Sequence, residues 1–299
     1  MELRQLEYFI AVASEMNFSR AAQRVHVVQS ALSTSVGKLE NELGVDLFDR
    51  SKQQIRITPA GELFREHARR VIHAARVARD SISNYRGELS GTVELGSLIS
   101  FGALDVPRVL GDFHRAYPFV RVKLRQSQTG SMTYLSAIAD GSLDLALVSA
   151  PDRFPARIEM RLLSQEQMMY VCRPDHHLAQ RDKVVITDLA GEELIGFPTE
   201  FGLRRLIEDA FTAAGIASHT PYEVAADYSI AAGLVRHGLG TIVMPATEAG
   251  RFPDLRAVPL RPTLTWTIYL ASAGHANVGP ASAKLAELLL GEAAATIAQ

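Results

Sequence analysis

Apolar residues recur with the period of an α-helix in three short segments of the first fifty residues. The first predicted helix spans about residues 3–14, and the second begins beside Ser19, which stands at its expected N-cap position. The third runs from about Gln29 to Leu43 and ends at Gly44. Its apolar stripe consists of Leu32, Val36, Leu39 and Leu43. Two short helices joined by a tight turn predict a helix-turn-helix whose second helix reads DNA.

The other face of this recognition helix carries side chains that can hydrogen-bond to phosphates or base edges. They are Gln29, Ser30, Ser33, Thr34 and Lys38. Farther on, Ile55 and Ile57 alternate with polar residues and predict a short hairpin, the wing of a winged helix. Lys52 and Arg56 of the wing are candidates for contact with the DNA backbone or minor groove, and solvated loop charges are the alternative. The predicted DNA-binding set also includes Ser19, Arg20 and Arg50.

A heptad pattern follows the wing. Thr58 is the predicted cap of a long helix that has Pro59 at its first position and ends near Gly87. Its apolar positions are Phe64, Ala68, Val71, Ala75, Ala78, Ile82 and Tyr85. A stripe of this length is more than a small winged domain can cover, so it predicts a coiled coil between two chains. Packing within the same chain is the alternative.

From Thr92 onward, apolar strands alternate with helices, which is typical of α/β domains. One βαβαβ unit is predicted between Val93 and Val148, and a second between Leu194 and Met244. The segment between the two units and residues 265–270 are candidates for strands that cross from one lobe to the other. A C-terminal helix over about residues 280–294 is predicted to cover a sheet.

The N-terminal motif resembles that of the LysR-type transcriptional regulators, and the resemblance extends across the chain. The residues that carry it are Leu3, Phe9, Ser19 to Ala22, Gln29, Ala31 to Ser33, Leu39, Glu40, Glu42 to Gly44, Leu47, Phe48, Arg50 and Thr58 to Gly61. Val28 stands where the family usually has Ser or Thr, and Ser30 where it usually has Pro. Thr34 and Gly37 occupy positions that often carry Arg, which leaves fewer cationic contacts to DNA.

The resemblance implies an α/β protein with a mostly helical N-terminal winged helix-turn-helix, a long linker helix and a two-lobed effector domain of the periplasmic-binding-protein type (type 2). The expected domains are residues 1–58, 59–87 and 88–299, with lobe I at about 92–162 and 267–299 and lobe II at about 163–266. It also implies a homotetramer, built as a dimer of dimers, that binds promoter DNA, contacts RNA polymerase and responds to a small molecule.

Hydroxyl groups stand at the predicted strand-to-helix turns, where open α/β sheets bind ligands. The candidate effector-binding residues are Ser97, Ser100, Phe101, Thr129, Ser131, Thr199, Phe201 and Gly202. Helix N-termini favour anions, so a small carboxylate-bearing co-inducer is expected, with no other cofactor. Capping is the alternative for each hydroxyl, and core packing for Phe101, Phe197, Phe201 and Tyr228. Val148 and Ser149 stand where some relatives carry an arginine, which disfavours an aromatic diacid.

Composition adds little to this pattern. The net charge is −2, so DNA binding cannot be inferred from total charge and must come from local placement. The single cysteine, Cys172, excludes an intramolecular disulfide switch. No apolar run approaches the length of a membrane span, and the N-terminus lacks a signal-peptide profile. A cytoplasmic protein with no membrane partner is expected.

No catalytic or metal-binding motif is recognised. The run from His237 to Gly240 is glycine-rich but leads into a strand rather than a helix. His176 and His177 have no carboxylate or Cys at metal-ligand spacing, so a solvated loop without metal is predicted. A solute-binding module and a small-molecule enzyme remain as alternatives. A solute-binding module would have a signal peptide. An enzyme would have convergent titratable residues at the strand ends, where this chain carries mainly hydroxyl residues.

Overall fold

A computed structural model describes residues 1–51, 54–85, 89–126, 130–149, 157–224, 227–274 and 278–297. The chain divides into two compact units, Met1–Gly87 with Asp140–Ser142, and Glu88–Ala139 with Leu143–Gln299. The predicted limits of the three domains and of the two lobes stay predictions. Within the described ranges, no helix combines the length and the apolar character needed to cross a membrane.

The N-terminal unit is a winged helix-turn-helix followed by a long helix. Its elements are α1 (Leu3–Glu15), α2 (Phe18–Arg24), α3 (Gln29–Leu43), β1 (Phe48–Asp49), β2 (Arg56–Ile57) and α4 (Pro59–Tyr85). The two short strands pair antiparallel, with Phe48 opposite Ile57, and form the predicted wing. Its core contains Leu6, Phe9, Leu32, Val36, Leu39, Leu47 and Phe48.

Two details of the predicted helix-turn-helix are wrong. Asn17, not Ser19, caps α2, because its side-chain oxygen accepts a hydrogen bond from the Arg20 amide at 3.0 Å. The helix therefore begins at Phe18, whose ring packs on Phe48, and Ser19 lies exposed in its first turn. Leu43 is exposed because it is the last residue of α3, beyond the core that buries the rest of the stripe.

The long helix α4 starts as predicted, since the Thr58 hydroxyl accepts a hydrogen bond from the Gly61 amide at 3.0 Å. The first part of its predicted dimer seam is wrong. The Phe64 ring packs against Phe9 with centroids 5.1 Å apart, and Ala68 is fully buried in the same core. Both residues face α1 of their own chain, since the first turns of α4 complete the N-terminal core.

The C-terminal unit is α/β, as predicted. Its strands are β3 (Gly91–Ser97), β4 (Val120–Gln126), β5 (Leu145–Ser149), β6 (Ile158–Cys172), β7 (Val184–Val185), β8 (Glu193–Gly196), β9 (His219–Glu223), β10 (Ile242–Pro245), β11 (Arg256–Arg261) and β12 (Thr265–Ala273). Its helices are α5 (Val106–Ala116), α6 (Gly130–Ala139), α7 (Gly202–Ala213), α8 (Tyr228–Arg236), α9 (Ala246–Ala249) and α10 (Pro280–Ile297).

Two long strands link the two lobes. In the first lobe, β3 lies parallel to β4 and β5, and in the second β8 lies parallel to β9. Strand β6 pairs with β12 over its first part and with β10 and β11 over its last. The predicted crossing at 265–270 is thus β12, and β6 is its partner. The predicted C-terminal helix α10 packs against β3, β6 and α5.

Candidate DNA-binding and effector-binding sites

The recognition helix presents most of its predicted DNA-binding residues to solvent. Gln29, Ser30, Thr34 and Lys38 are exposed, and Ser33 is half-buried. Val28 occupies the N-cap and offers no side-chain hydrogen bond to the first turn of α3. Because the first amides of a helix lack intrahelical acceptors, this end of α3 can donate backbone N–H groups to a phosphate.

Arg50 is held by its own chain. Its guanidinium contacts the Glu40 carboxylate at 2.5 Å and lies over the Phe18 ring, 5.0 Å from the centroid. The Glu40 carboxylate is buried and also accepts the Leu47 and Phe48 amides at 2.9 and 3.1 Å. Glu40 therefore links α3 to the wing, and Arg50 neutralises it. Sequence reasoning missed this role, although a glutamate beside Leu39 on an apolar stripe could have signalled it.

The other predicted basic contacts differ in their surroundings. Arg20 donates a hydrogen bond to the Glu15 carbonyl at 2.6 Å and keeps most of its side chain exposed. Arg56 is exposed on β2. Lys52 lies outside the described residues. A role of each in DNA binding stays a prediction.

Besides the residues that pack on α1, α4 carries an exposed apolar face. Leu63, Val71, Ile82 and Tyr85 are 66%, 46%, 61% and 90% exposed. Ala78 is exposed as well, and Ala75 is half-buried. Leu63 was not among the predicted seam residues, but it lies two helical turns from Val71 on the same face. This set is called the α4 face below.

A cleft in the C-terminal unit contains about 490 Å³ of empty space, part of it open to solvent. It is lined by Ser97, Leu98, Ile99, Ser100, Gly130, Ser131, Tyr134, Ser149, Phe197, Phe201, Gly202, Leu203, Tyr228 and Trp266. Five of the predicted effector residues line it: Ser97, Ser100, Ser131, Phe201 and Gly202. Thr199 is exposed and Phe101 packs against the core, so neither lines it, and Thr129 lies outside the described residues.

The end of β5 and the starts of α6 and α7 meet in this cleft. The Ser149 amide donates a hydrogen bond to the Ser131 hydroxyl at 3.1 Å, and the two hydroxyl oxygens lie 3.2 Å apart. A Cβ atom at Gly202 would lie 2.3 Å from the Ser149 hydroxyl, so a larger residue there would displace that hydroxyl. Phe201 caps α7 without a side-chain hydrogen bond, which leaves the first amides of α7 without a side-chain acceptor.

Aromatic residues form much of the remaining wall. Tyr228 packs against Phe197 edge to face, with ring centroids 5.1 Å apart, and burial raises its pKa, so its hydroxyl stays protonated. Trp266 is buried, and its Nε1 has no hydrogen-bond partner among the described residues. Trp266 was not predicted as a cleft residue. It could have been, because it occupies a buried position of the alternating strand 265–270.

Cys172 lies at the end of β6 and is fully buried. Burial raises the pKa of its thiol to about 11, with a further contribution from the Glu192 carboxylate. Because the thiolate is the reactive form of cysteine, Cys172 is unreactive at neutral pH.

Comparison with known families settles which class of protein carries these sites. The family described as "Bacterial regulatory helix-turn-helix protein, lysR family" matches residues 3–62, and the one described as "LysR substrate binding domain" matches residues 86–294. The chain belongs to the LysR-type transcriptional regulators. It is a DNA-binding regulator of transcription with an effector-binding domain, and the comparisons give no support to a solute-binding module or an enzyme.

Individual relatives agree with this assignment. The HTH-type transcriptional regulator ShiR of Corynebacterium glutamicum is 34% identical over 257 residues, which cover 83% of this chain and 86% of ShiR. A full-length OxyR variant from Pseudomonas aeruginosa superposes with a TM-score of 0.76 at 26% identity, covering 98% of this chain and 94% of OxyR. Full-length CbnR in complex with its target DNA gives a TM-score of 0.65 at 27% identity, covering 98% and 100%.

Proposed function

We propose that this LysR-type regulator is controlled by a small monocarboxylate with an apolar body, bound in the cleft. The proposal rests on the buried Trp266 Nε1, which has no hydrogen-bond partner in the part of the chain that the structure describes. An indole N–H can only donate, and an unsatisfied buried donor costs about 1–3 kcal/mol. Because Trp266 lines the cleft, a ligand oxygen that reached Nε1 would remove that penalty, which favours a ligand that accepts hydrogen bonds.

The charge of the cleft supports a single negative charge on the ligand. None of the described residues that line it carries a charged side chain. An anion would therefore be stabilised by the starts of α6 and α7 and by the Ser131 and Ser149 hydroxyls, which suffice for one carboxylate. Phe197, Phe201 and Tyr228 offer apolar surface to the rest of the molecule.

Fluorescence of Trp266, the only tryptophan of the chain, gives a direct test. Monocarboxylates are titrated into the full-length protein alongside their methyl esters, and only the acids are expected to change the fluorescence. For an acid that binds, Trp266→Phe is expected to weaken binding about tenfold by calorimetry, since one hydrogen bond contributes about 1.5 kcal/mol.

Thr265→Val is the matched control, because Thr265 lies exposed on the same strand. It should leave the affinity unchanged. Equal binding of acids and esters would contradict a carboxylate ligand, and equal binding by the wild type and Trp266→Phe would remove Trp266 from the site.

For DNA, we propose that α3 lies in the major groove with Gln29 against a base edge and the amides after Val28 near a phosphate. Gln29→Ala is then expected to reduce discrimination between the cognate site and a single-base variant by about 1–3 kcal/mol. Competition binding with labelled operator DNA measures this.

Lys38→Ala provides the contrast for that experiment. If Lys38 contacts a phosphate, Lys38→Ala should weaken binding to all DNA sequences alike. It should also lower the salt dependence of binding by about one ion. If Gln29→Ala also weakens every sequence equally, the proposed orientation of α3 is incorrect.

We further propose that the α4 face joins two chains and that dimers associate into a tetramer that contacts RNA polymerase in the cytoplasm. The exposed apolar side chains of α4 support the dimer. The tetramer and the polymerase contact are supported by the family resemblance.

A further inference from the structure

Two histidines and a glutamate meet at one point of the C-terminal unit, away from the cleft. His176 and His177 follow β6, and Glu192 immediately precedes β8. The Glu192 carboxylate lies 3.2 Å from His176 Nε2 and 3.5 Å from His177 Nε2. One ligand atom from each residue lies within 4.8 Å of the others. The three side chains line a separate, solvent-open pocket that shares no residue with the cleft.

These separations suit a transition-metal ion. Zinc binds imidazole nitrogen and carboxylate oxygen at about 2.0–2.2 Å, so neighbouring ligand atoms of a tetrahedral site lie about 3.3–3.5 Å apart. The two Nε2-to-oxygen distances are close to that value, with His176 facing Oε2 and His177 facing Oε1 of the Glu192 carboxylate. Because His177 is 66% exposed, and the pocket is open, a solvent molecule could complete the coordination.

The surroundings favour a dication. The described residues that line the pocket include three carboxylates, those of Asp175, Glu192 and Glu193, and one guanidinium, that of Arg173. Arg173 is engaged by Asp175 through two hydrogen bonds of 2.9 and 2.6 Å. Counting one charge for each, the pocket carries an excess of two negative charges before a metal binds.

The other ring nitrogen of His176 also has a partner suited to a metal ligand. The Tyr170 hydroxyl lies 3.4 Å from His176 Nδ1 and can accept the proton that a metal-bound imidazole carries there. The Leu178 amide also points at Nδ1, at 3.3 Å, and this long hydrogen bond would be given up on metal binding.

We propose that His176, His177 and Glu192 form a binding site for a divalent transition metal, with two imidazoles and one carboxylate as ligands. Imidazole and carboxylate donors select zinc and its neighbours over magnesium and calcium, which prefer oxygen ligands alone. The prediction of no metal from the sequence rested on spacing, and Glu192 lies fifteen residues after His177. The fold brings it back to the histidines.

Isothermal titration of the untagged, chelator-treated full-length chain with zinc chloride tests the site. One equivalent of zinc is expected to bind, and magnesium is not. His177→Ala is expected to weaken zinc binding by at least about 100-fold, because even loss of an outer-shell partner costs 10–100-fold. The exposure of His177 makes that substitution compatible with folding, which circular dichroism checks. Glu192→Gln removes the anionic ligand and should weaken binding similarly.

His219→Ala is the matched control, since His219 lies exposed on β9 and outside the cluster. It should bind zinc as the wild type does. Absence of zinc uptake by the wild type, or equal uptake by the wild type and His177→Ala, would overturn the proposal. Because the site and the cleft share no residue, neither result bears on the carboxylate effector.

Discussion

Val71→Asp in the full-length chain is expected to convert the dimer into monomers and to abolish binding to a palindromic operator. Val71 lies on the α4 face with Ile82 and Tyr85, all of them exposed in the single chain. Pairing two such faces would bury the new carboxylate without a partner, and an uncompensated buried charge costs about 3–5 kcal/mol. The dimer dissociation constant should therefore rise by at least about a hundredfold.

Sedimentation equilibrium measures this constant, and Asn84→Asp is the matched control. Asn84 is exposed on another side of α4, so the same added charge should leave the dimer intact. If Val71→Asp forms dimers with the same dissociation constant as the wild type, the chains associate through another surface. DNA binding should fall with dimer formation, because one winged domain contacts only half of a palindromic site.

The prediction made for α4 was partly right. The heptad spacing correctly predicted a long helix with an apolar stripe. It could not tell which partner each position contacts, because Phe64 and Ala68 have the same phase as an inter-chain seam yet pack on their own α1. Periodicity identifies the buried side of a helix and carries no information on which chain buries it.

The same distinction applies to the two-lobed unit. Short strands beside helices were predicted from apolar runs, and a crossing strand was predicted between the two units. The bounds of β6 and its change of partner from β12 to β10 and β11 were not predicted, because they depend on pairing across the chain. The cleft serines were predicted because ligands bind at the carboxyl ends of strands in open α/β sheets, and strand ends can be located from the sequence. Trp266 and the pairing of Glu192 with His176 were missed, because they depend on which residues the fold brings together across the chain.

The capping of α2 illustrates a local ambiguity. Asn17 and Ser19 are equally good N-cap residues by type, and only the packing of Phe18 against Phe48 selects the earlier start. A difference of two residues changes the exposure of Ser19 and moves it from a capping role to the helix surface. Helix existence was thus predictable, while its first residue depended on tertiary contact.

Glu40→Ala is expected to destabilise the N-terminal unit by about 3 kcal/mol, because removing one partner of a buried charged network leaves the others unsatisfied. The Leu47 and Phe48 amides would lose their acceptor, and Arg50 its counter-ion. The wing would then be held to α3 by apolar contacts alone. Since Arg50 lies over Phe18, the loss should also loosen the start of α2.

Hydrogen exchange of the Leu47 and Phe48 amides measures the effect at the site itself. A loss of about 3 kcal/mol corresponds to exchange more than a hundredfold faster when opening limits protection. Glu42→Ala is the control, because Glu42 is exposed and pairs with the amino terminus of Met1, a surface contact that contributes at most about 1 kcal/mol. Equal protection of the two amides in the Glu40→Ala and Glu42→Ala proteins would show that the buried carboxylate does not hold the wing. If protection is lost only in Glu40→Ala, the position of the wing relative to the recognition helix depends on the buried Glu40 carboxylate. Arg50, which pairs with that carboxylate, then has a structural role whether or not it also contacts DNA.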